Sequence, residues 1–371
     1  MKIYEIMAMA SDPPPQNPPF PAWVEASPAQ VKTFQDAAQV AEEFFVATQA
    51  LGTMGWMTWK TSAGRDYLFH GAGRTGHGKS LGVRAQRTEE HYSTFQADKL
   101  AMTARRDRLL PEVMRYSKYI KVERLNRLPQ MAGKVINLLT KAGLGERLRV
   151  VGTNSLYAYE MLAAVLFEPD ITATRDLDLL WDGRAGIAFA GDFDDVELRG
   201  FSAILRQADK TFTPSMEINR SFSVRNATGY AVDFLMPEPD DGRKAALNDG
   251  VRPMGLEGQR MLNDAPVLTQ TVFLADGYPC PMRVVDPRYF VLHKHWVAGR
   301  DGRDPGKARR DRLQAEAMAR VIQQWLPMFG FDDSAFLHAL PVQLVPYLPG
   351  LATGKLSGEL ADRSGLRDAG L

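Results

Sequence analysis

The segment TRDLDLLW, Thr174 to Trp181, decides how the rest of the chain is read. Its apolar residues alternate with charged ones, the pattern of a β-strand whose successive side chains point to opposite faces. Asp176 and Asp178 then share one face, while Leu177 and Leu179 share the other. Two adjacent carboxylates repel each other, and this raises a pKa unless a cation stands between them. A divalent cation removes that cost, and magnesium favours a few carboxylates completed by phosphate oxygens and water.

Working outward, LRVVGTNS reads as a buried strand entering a turn at Gly152, followed by SLYAYEMLAAVLF as a mostly buried helix. A glycine there lets backbone come close to a ligand, and the Thr153 and Ser155 hydroxyls stand at a helix N-terminus, where anions bind. Downstream, SFSVRNATGYAVDFLMP has the form of a hairpin turning at Asn226 to Gly229, which places Asp233 among apolar strand residues. A buried charge in that setting is expensive unless it is paired or bound to metal. If its strand neighbours the first, three carboxylates meet beside a glycine turn. Those parts suit phosphoryl chemistry, with the turn on a triphosphate tail and the carboxylates on two metal ions. A further hairpin, TVFLADGYPCPMRVV, turns at Asp276 and Gly277, and the chain is helical after Asp286 to about Trp325.

Ahead of this core, the prolines from Pro13 to Pro21 make an extended lead-in. A helical pattern covers Pro28 to Leu51, two aromatic runs flank SAGR as a hairpin should, and Thr88 to Ala142 is again helical. The stretch GRTGHGKS, Gly73 to Ser80, matches the phosphate-loop pattern G-x-x-x-x-G-K-[ST]. Such a loop works between a buried strand and a helix, whereas here an exposed-type hairpin arm precedes it and polar LGVRAQRTEE follows. Lys79 is therefore read as a surface residue beside a glycine-rich turn.

The order strand, glycine turn, helix, D-x-D strand and later Asp resembles the DNA polymerase β-like nucleotidyltransferase superfamily, in VVGTN, Arg175-Asp176-Leu177-Asp178 and Val232-Asp233-Phe234. The turn is Gly-Thr instead of Gly-Gly or Gly-Ser. The spacing from Thr153 to Asp176 is similar to that in the abortive-infection and toxin-type branch. The segments W-x-x-W, YLF, GKSLG, GTNSLYAYE, DPRYFVLHKHW and KARRDRLQAEAM look like a group of bacterial predicted nucleotidyltransferases, so that the resemblance spans about Gly55 to Leu326.

The resemblance implies that Asp176 and Asp178 bind two magnesium ions, with manganese as the alternative, and that Asp233 completes the ion that activates the attacking hydroxyl. Gly152, Thr153 and Ser155 would hold the β and γ phosphates. Lys294, Lys307 and Arg310 would face the triphosphate or the acceptor, with Asp311 holding Lys307 one helical turn away. Arg175 either contacts a phosphate or pairs with a nearby acid. The reaction implied is transfer of a nucleoside monophosphate from a nucleoside triphosphate to an acceptor hydroxyl on RNA, protein or a small molecule.

The fold expected is α+β: a mixed-sheet nucleotidyltransferase core at 146–285, an N-terminal unit of helices plus β-hairpin at 28–145, and a C-terminal helical region at 286–349. The lead-in at 1–27 and a polar tail at 350–371 complete the division. A formal charge of +1 gives no whole-protein attraction to nucleic acid or membrane. RNA is favoured as acceptor only by local Arg-rich stretches, Arg105 to Arg127 and GRDGRDPGKARRDR. Cys280 is the only cysteine, so no internal disulfide forms, and a reducing, cytoplasmic setting is expected. No run reaches the ~18 apolar residues of a membrane span. Two rival readings are a catalytically inactive nucleotidyltransferase-like module that binds nucleic acid or regulates, and an ATPase using Gly73 to Ser80.

Overall fold

The computed structural model describes residues 22–71, 78–182, 194–215, 223–237, 254–256 and 259–340. The proline lead-in from Pro13 to Pro21, the tail at 350–371 and most of the GRTGHGKS stretch lie outside these residues. In chain order the elements are β1 (Trp23–Glu25), α1 (Pro28–Met54), β2 (Trp56–Ser62), β3 (Arg65–Gly71), β4 (Lys79–Val83), α2 (Gln86–Val122) and α3 (Gln130–Lys141). The core continues with β5 (Leu148–Val151), α4 (Leu156–Ala163), β6 (Val165–Phe167), β7 (Asp176–Trp181), α5 (Asp194–Ala208), β8 (Thr213–Pro214), β9 (Ser223–Arg225), β10 (Ala231–Pro237) and β11 (Met254–Leu256). It closes with α6 (Gln259–Asp264), β12 (Val267–Phe273), β13 (Pro279–Val285), α7 (Pro287–Ala298), α8 (Pro305–Trp325) and α9 (Ser334–Ala339). The molecule is α+β, as expected from sequence.

Local chemistry sets the helix ends. Ser27 opens α1 with a capping box: its hydroxyl accepts from Gln30 N at 3.2 Å, and Gln30 Oε1 accepts from Ser27 N at 2.8 Å, with Pro28 in the first turn. Asp286 caps α7 by accepting from Arg288 N, and Asp304 caps α8 by accepting from Lys307 N, each ahead of a proline. Ala37, Ala38, Ala41 and Ala47 are buried on α1, and their small side chains let it lie against α2.

The hairpin at SAGR forms, turning through Ala63 and Gly64 at φ 48° and 72°, the positive pair that matches strand twist. Two segments differ from the sequence reading. Lys79 to Val83 is a third strand paired to β3, an element the sequence reading did not assign, and Lys79 is exposed on it. The helix from Ser155 stops at Ala164, which adopts a left-handed φ of 52°, and Val165–Phe167 becomes a strand paired with β1. The β-branched and aromatic residues of VLF suit a strand as well as a helix face, so apolar content alone did not separate them.

The central sheet has the order β5-β7-β10-β9-β8, with β11 also on β10. β7 and β10 run parallel, while β5 and β9 run antiparallel to their neighbours. β7 and β10 send Leu177, Leu179, Val232 and Phe234 into the main core, where the β12–β13 hairpin, α3 and α8 also bury their apolar faces. Arg149 on β5 is fully buried, and its two terminal nitrogens are held: Nη1 donates to Leu262 O at 2.7 Å and Nη2 to Asp182 Oδ2 at 2.8 Å. A cation so placed ties the sheet edge to the end of α6.

Candidate active site

Strand register brings the three predicted carboxylates to one face. Asp178 is the direct partner of Asp233 across the parallel β7–β10 pair, and Asp176 stands opposite Ala231 two residues earlier. On the other side of β7, Val151 pairs with Asp178, so the chain enters its Gly152 turn beside that carboxylate. Gly152 has φ 66°, and a Cβ built there would lie 2.1 Å from Asp178 Oδ2. Only glycine therefore fits: the backbone conformation and the close carboxylate both reject a side chain.

Asp178 is partly buried, and its pKa is pushed up to about 8. Burial is the leading cause, followed by the Asp176 and Asp233 charges, against the opposing pull of Lys294 and Arg303. The carboxylates therefore already repel one another across the strands. Thr174 Oγ1 donates a short hydrogen bond to Asp176, and Ser223 Oγ donates to Asp233 Oδ1 at 2.6 Å. Asn154 Nδ2 donates to Asp176 O at 2.6 Å, fastening the glycine turn to the start of β7.

The turn itself, Gly152–Ser155, is a single 3-10 turn running into α4. Its hydroxyls face inward. Ser155 is fully buried and donates to Gly152 O at 2.7 Å, while Thr153 Oγ1 accepts from Gln314 Nε2 at 3.2 Å. What the turn offers an anion is its backbone N–H groups, whose helical partners are missing at a helix start.

A cleft of about 510 Å³ opens over this face, lined by Arg175, Asp176, Arg225, Gly229, Ala231, Asp233 and Lys307. Arg175 and Lys307 thus line the cleft beside Asp176 and Asp233. Arg225 was not anticipated: it lies opposite Ala231 on the antiparallel β9, in SFSVRNATG, where nothing in the local pattern sets it apart from an ordinary strand cation.

Other predicted residues are placed differently. Lys294 is buried and pairs with Asp311 Oδ1 at 2.8 Å, so it acts on Asp178 only through space. Asp311 also accepts from Arg303 Nε at 3.0 Å; its partners are Lys294 and Arg303, not Lys307. Helical spacing suggested the Lys307 pair, but α7 packs on α8 and supplies a nearer, buried cation. Arg310 donates to Ala173 O at 3.0 Å and so braces the segment leading into β7. His293, beside Lys294, is held down to about 3 by burial and by the Lys294 charge, and stays neutral near pH 7.

Among the described residues no group of three or more His, Cys, Asp or Glu side chains forms a ready-made metal cage. Magnesium does not require one, since it keeps water and takes one or two carboxylates together with substrate phosphates. Asp176 and Asp233 on the cleft wall, with the electrostatically coupled Asp178 beside them, supply the all-oxygen donors that such an ion accepts.

A model of a nucleotidyltransferase family matches residues 130–337, more than half of the chain's 371 residues. The chain belongs to this nucleotidyltransferase family. The match runs from α3 to α9 and so contains the sheet, the glycine turn, all three aspartates and the helices carrying Lys294 and Lys307. No curated protein and no solved structure matches it. As a nucleotidyltransferase it is a transferase whose substrate is a nucleoside triphosphate. The GKS segment lies outside the matched residues; Lys79 and Ser80 are exposed on β4, and α2 does not begin until Gln86. No described helix is long and apolar enough to cross a membrane.

Proposed function

We propose that the chain transfers a nucleoside monophosphate to an acceptor hydroxyl in the manner of the DNA polymerase β-like branch, near its abortive-infection and toxin-type members. The observation that carries this reading is the opposition of Asp178 and Asp233 on adjacent parallel strands, with the Gly152 backbone packed against Asp178. Asp176 and Asp178 would hold two magnesium ions, and Asp233 would complete the site nearest the acceptor. Bound there, magnesium supplies charge neutralisation on the phosphates and eases loss of the hydroxyl proton.

The chain's own groups do the positioning. The Gly152 turn receives the β and γ phosphates on backbone N–H groups, and Arg175 and Lys307 add charge from the cleft wall. Asp233 accepts the proton of the acceptor hydroxyl. The acceptor oxygen then bonds to the α-phosphorus, the bond from that phosphorus to the bridging oxygen breaks, and pyrophosphate leaves with the electron pair. The single, buried cysteine accords with work in a reducing interior.

The test is label transfer. Protein with magnesium and each α-labelled nucleoside triphosphate is offered cell RNA, cell protein and small-molecule extract, beside an Asp176→Ala, Asp178→Ala double variant. Label on one acceptor class, lost in the variant, is expected. No label on any acceptor from folded wild-type protein would overturn the reading.

A further inference from the structure

We infer that the acceptor is a polynucleotide strand and that Arg225 binds a phosphate adjoining its attacking hydroxyl. The inference rests on the nucleotidyl-transfer reading of the carboxylates and adds the substrate class. Two rows of side chains cross the sheet. One holds Val151, Asp178, Asp233 and Ser223, and the next holds Asp176, Ala231 and Arg225. Neighbours in a row share a face, so Arg225 projects on the carboxylate side, two strand spacings or about 10 Å from Asp176. The residue between them is alanine, which leaves that span open as part of the cleft.

The direction of the reaction assigns the two sides of β7. The glycine turn that would receive the leaving pyrophosphate is on the β5 side of β7, whereas β10 and β9 lie on the other side. In-line displacement places the attacking oxygen opposite the leaving group. The acceptor must therefore approach over β10 and β9, past Asp233 and toward Arg225. There it meets an arginine with no carboxylate partner among the described residues, although Lys294, Arg303, Arg288, Arg149 and Arg127 each have one. Arg175 and Lys307 in the same cleft also lack a carboxylate partner among the described residues. A strand end carries a phosphate one sugar away from its terminal hydroxyl, which an arginine recognises through paired N–H donors. A serine, threonine or tyrosine hydroxyl brings no such fixed anion.

Anisotropy of a short labelled single-stranded RNA, with magnesium and without nucleotide, tests this on wild type, Arg225→Gln and Arg225→Lys. Melting curves check that each variant is folded. Arg225→Gln should weaken binding about 10-fold and lower the slope of log affinity against log salt by about 1, as loss of one phosphate contact does. Arg225→Lys should recover most of the affinity, and the KM for the nucleoside triphosphate should stay within about 2-fold in both variants. Absent RNA binding by wild type, equal binding by Arg225→Gln, or label carried by protein with RNA untouched would each overturn the inference. RNA binding that depends on Arg225 in a protein that transfers no label to any acceptor would instead uphold the phosphate contact and sink the transfer reading beneath it.

Discussion

Two glycine-bearing segments of this chain invite a phosphate-binding interpretation, and their surroundings separate them. GRTGHGKS fits its pattern letter for letter, yet its Lys79 and Ser80 are exposed on an edge of a small antiparallel sheet, with several residues between them and the next helix. VVGTNS fits its pattern loosely, yet it follows a fully buried strand, runs directly into a helix and presses its glycine against a carboxylate. The helix start and the close backbone supply the physics of anion binding; the letters alone do not.

The largest contrast should come from single substitutions in the two segments' neighbourhoods. Asp178→Asn removes a carboxylate directly opposite Asp233 and should lower nucleotidyl transfer at least about 10³-fold, measured as single-turnover rate. Lys79→Ala should leave that rate within about 2-fold, because no described contact joins it to the cleft. A loss of activity in the lysine variant as deep as in the aspartate variant would erase the distinction.

Glycines offer a finer comparison inside the core. Gly152 and Gly229 both have positive φ, at 66° and 81°, but an added Cβ meets Asp178 at 2.1 Å in the first and nothing within 4 Å in the second. Gly152→Ala should therefore cost about 10²-fold in rate and melt several degrees lower, whereas Gly229→Ala should show only the backbone strain of ~1 kcal/mol. Equal melting temperatures for the two variants would argue against the close packing at the turn.

A pH series sharpens the electrostatic side. Because the Asp178 pKa is raised in the folded protein, mainly by burial, the native state holds a proton that the unfolded chain has lost. In chelator, stability attributable to this group should be fully present near pH 4 and fall as pH rises toward about 8. Asp178→Asn should then raise the melting temperature at pH 8 and change it little at pH 4. A variant that melts lower than wild type at pH 8 would contradict this. The smallest effect is expected from Ser80→Ala, an exposed strand residue, whose melting temperature should match wild type within the error of calorimetry.

The carboxylates were legible because strand alternation and apolar flanks are local signals. Asp176, Asp178 and Asp233 could be placed on strands from their immediate neighbours, and only the pairing of those strands needed the fold. The hairpins at Gly64, Gly229 and Gly277 were legible for the same reason, since their turns carry glycine where φ must be positive. What could not be read was anything set by distant packing. Asp311 has a cation one helical turn away in sequence, but burial against α7 favours Lys294. Arg225 lies in the same cleft as Asp176 only because β9 and β7 flank β10, a relation no local window contains. The inward-turned Thr153 and Ser155 hydroxyls were likewise invisible, because capping and anion-binding roles draw on the same residue types.

The most direct test follows two labels in parallel, with the triphosphate marked at the α or the γ phosphate in wild type, Asp233→Ala and Lys79→Ala. Transfer at the carboxylate face predicts that the α label joins the acceptor while the γ label departs in pyrophosphate, in wild type and Lys79→Ala but not in Asp233→Ala. Release of the γ label as inorganic phosphate, lost in Lys79→Ala and kept in Asp233→Ala, would contradict it and place the chemistry on the other glycine segment.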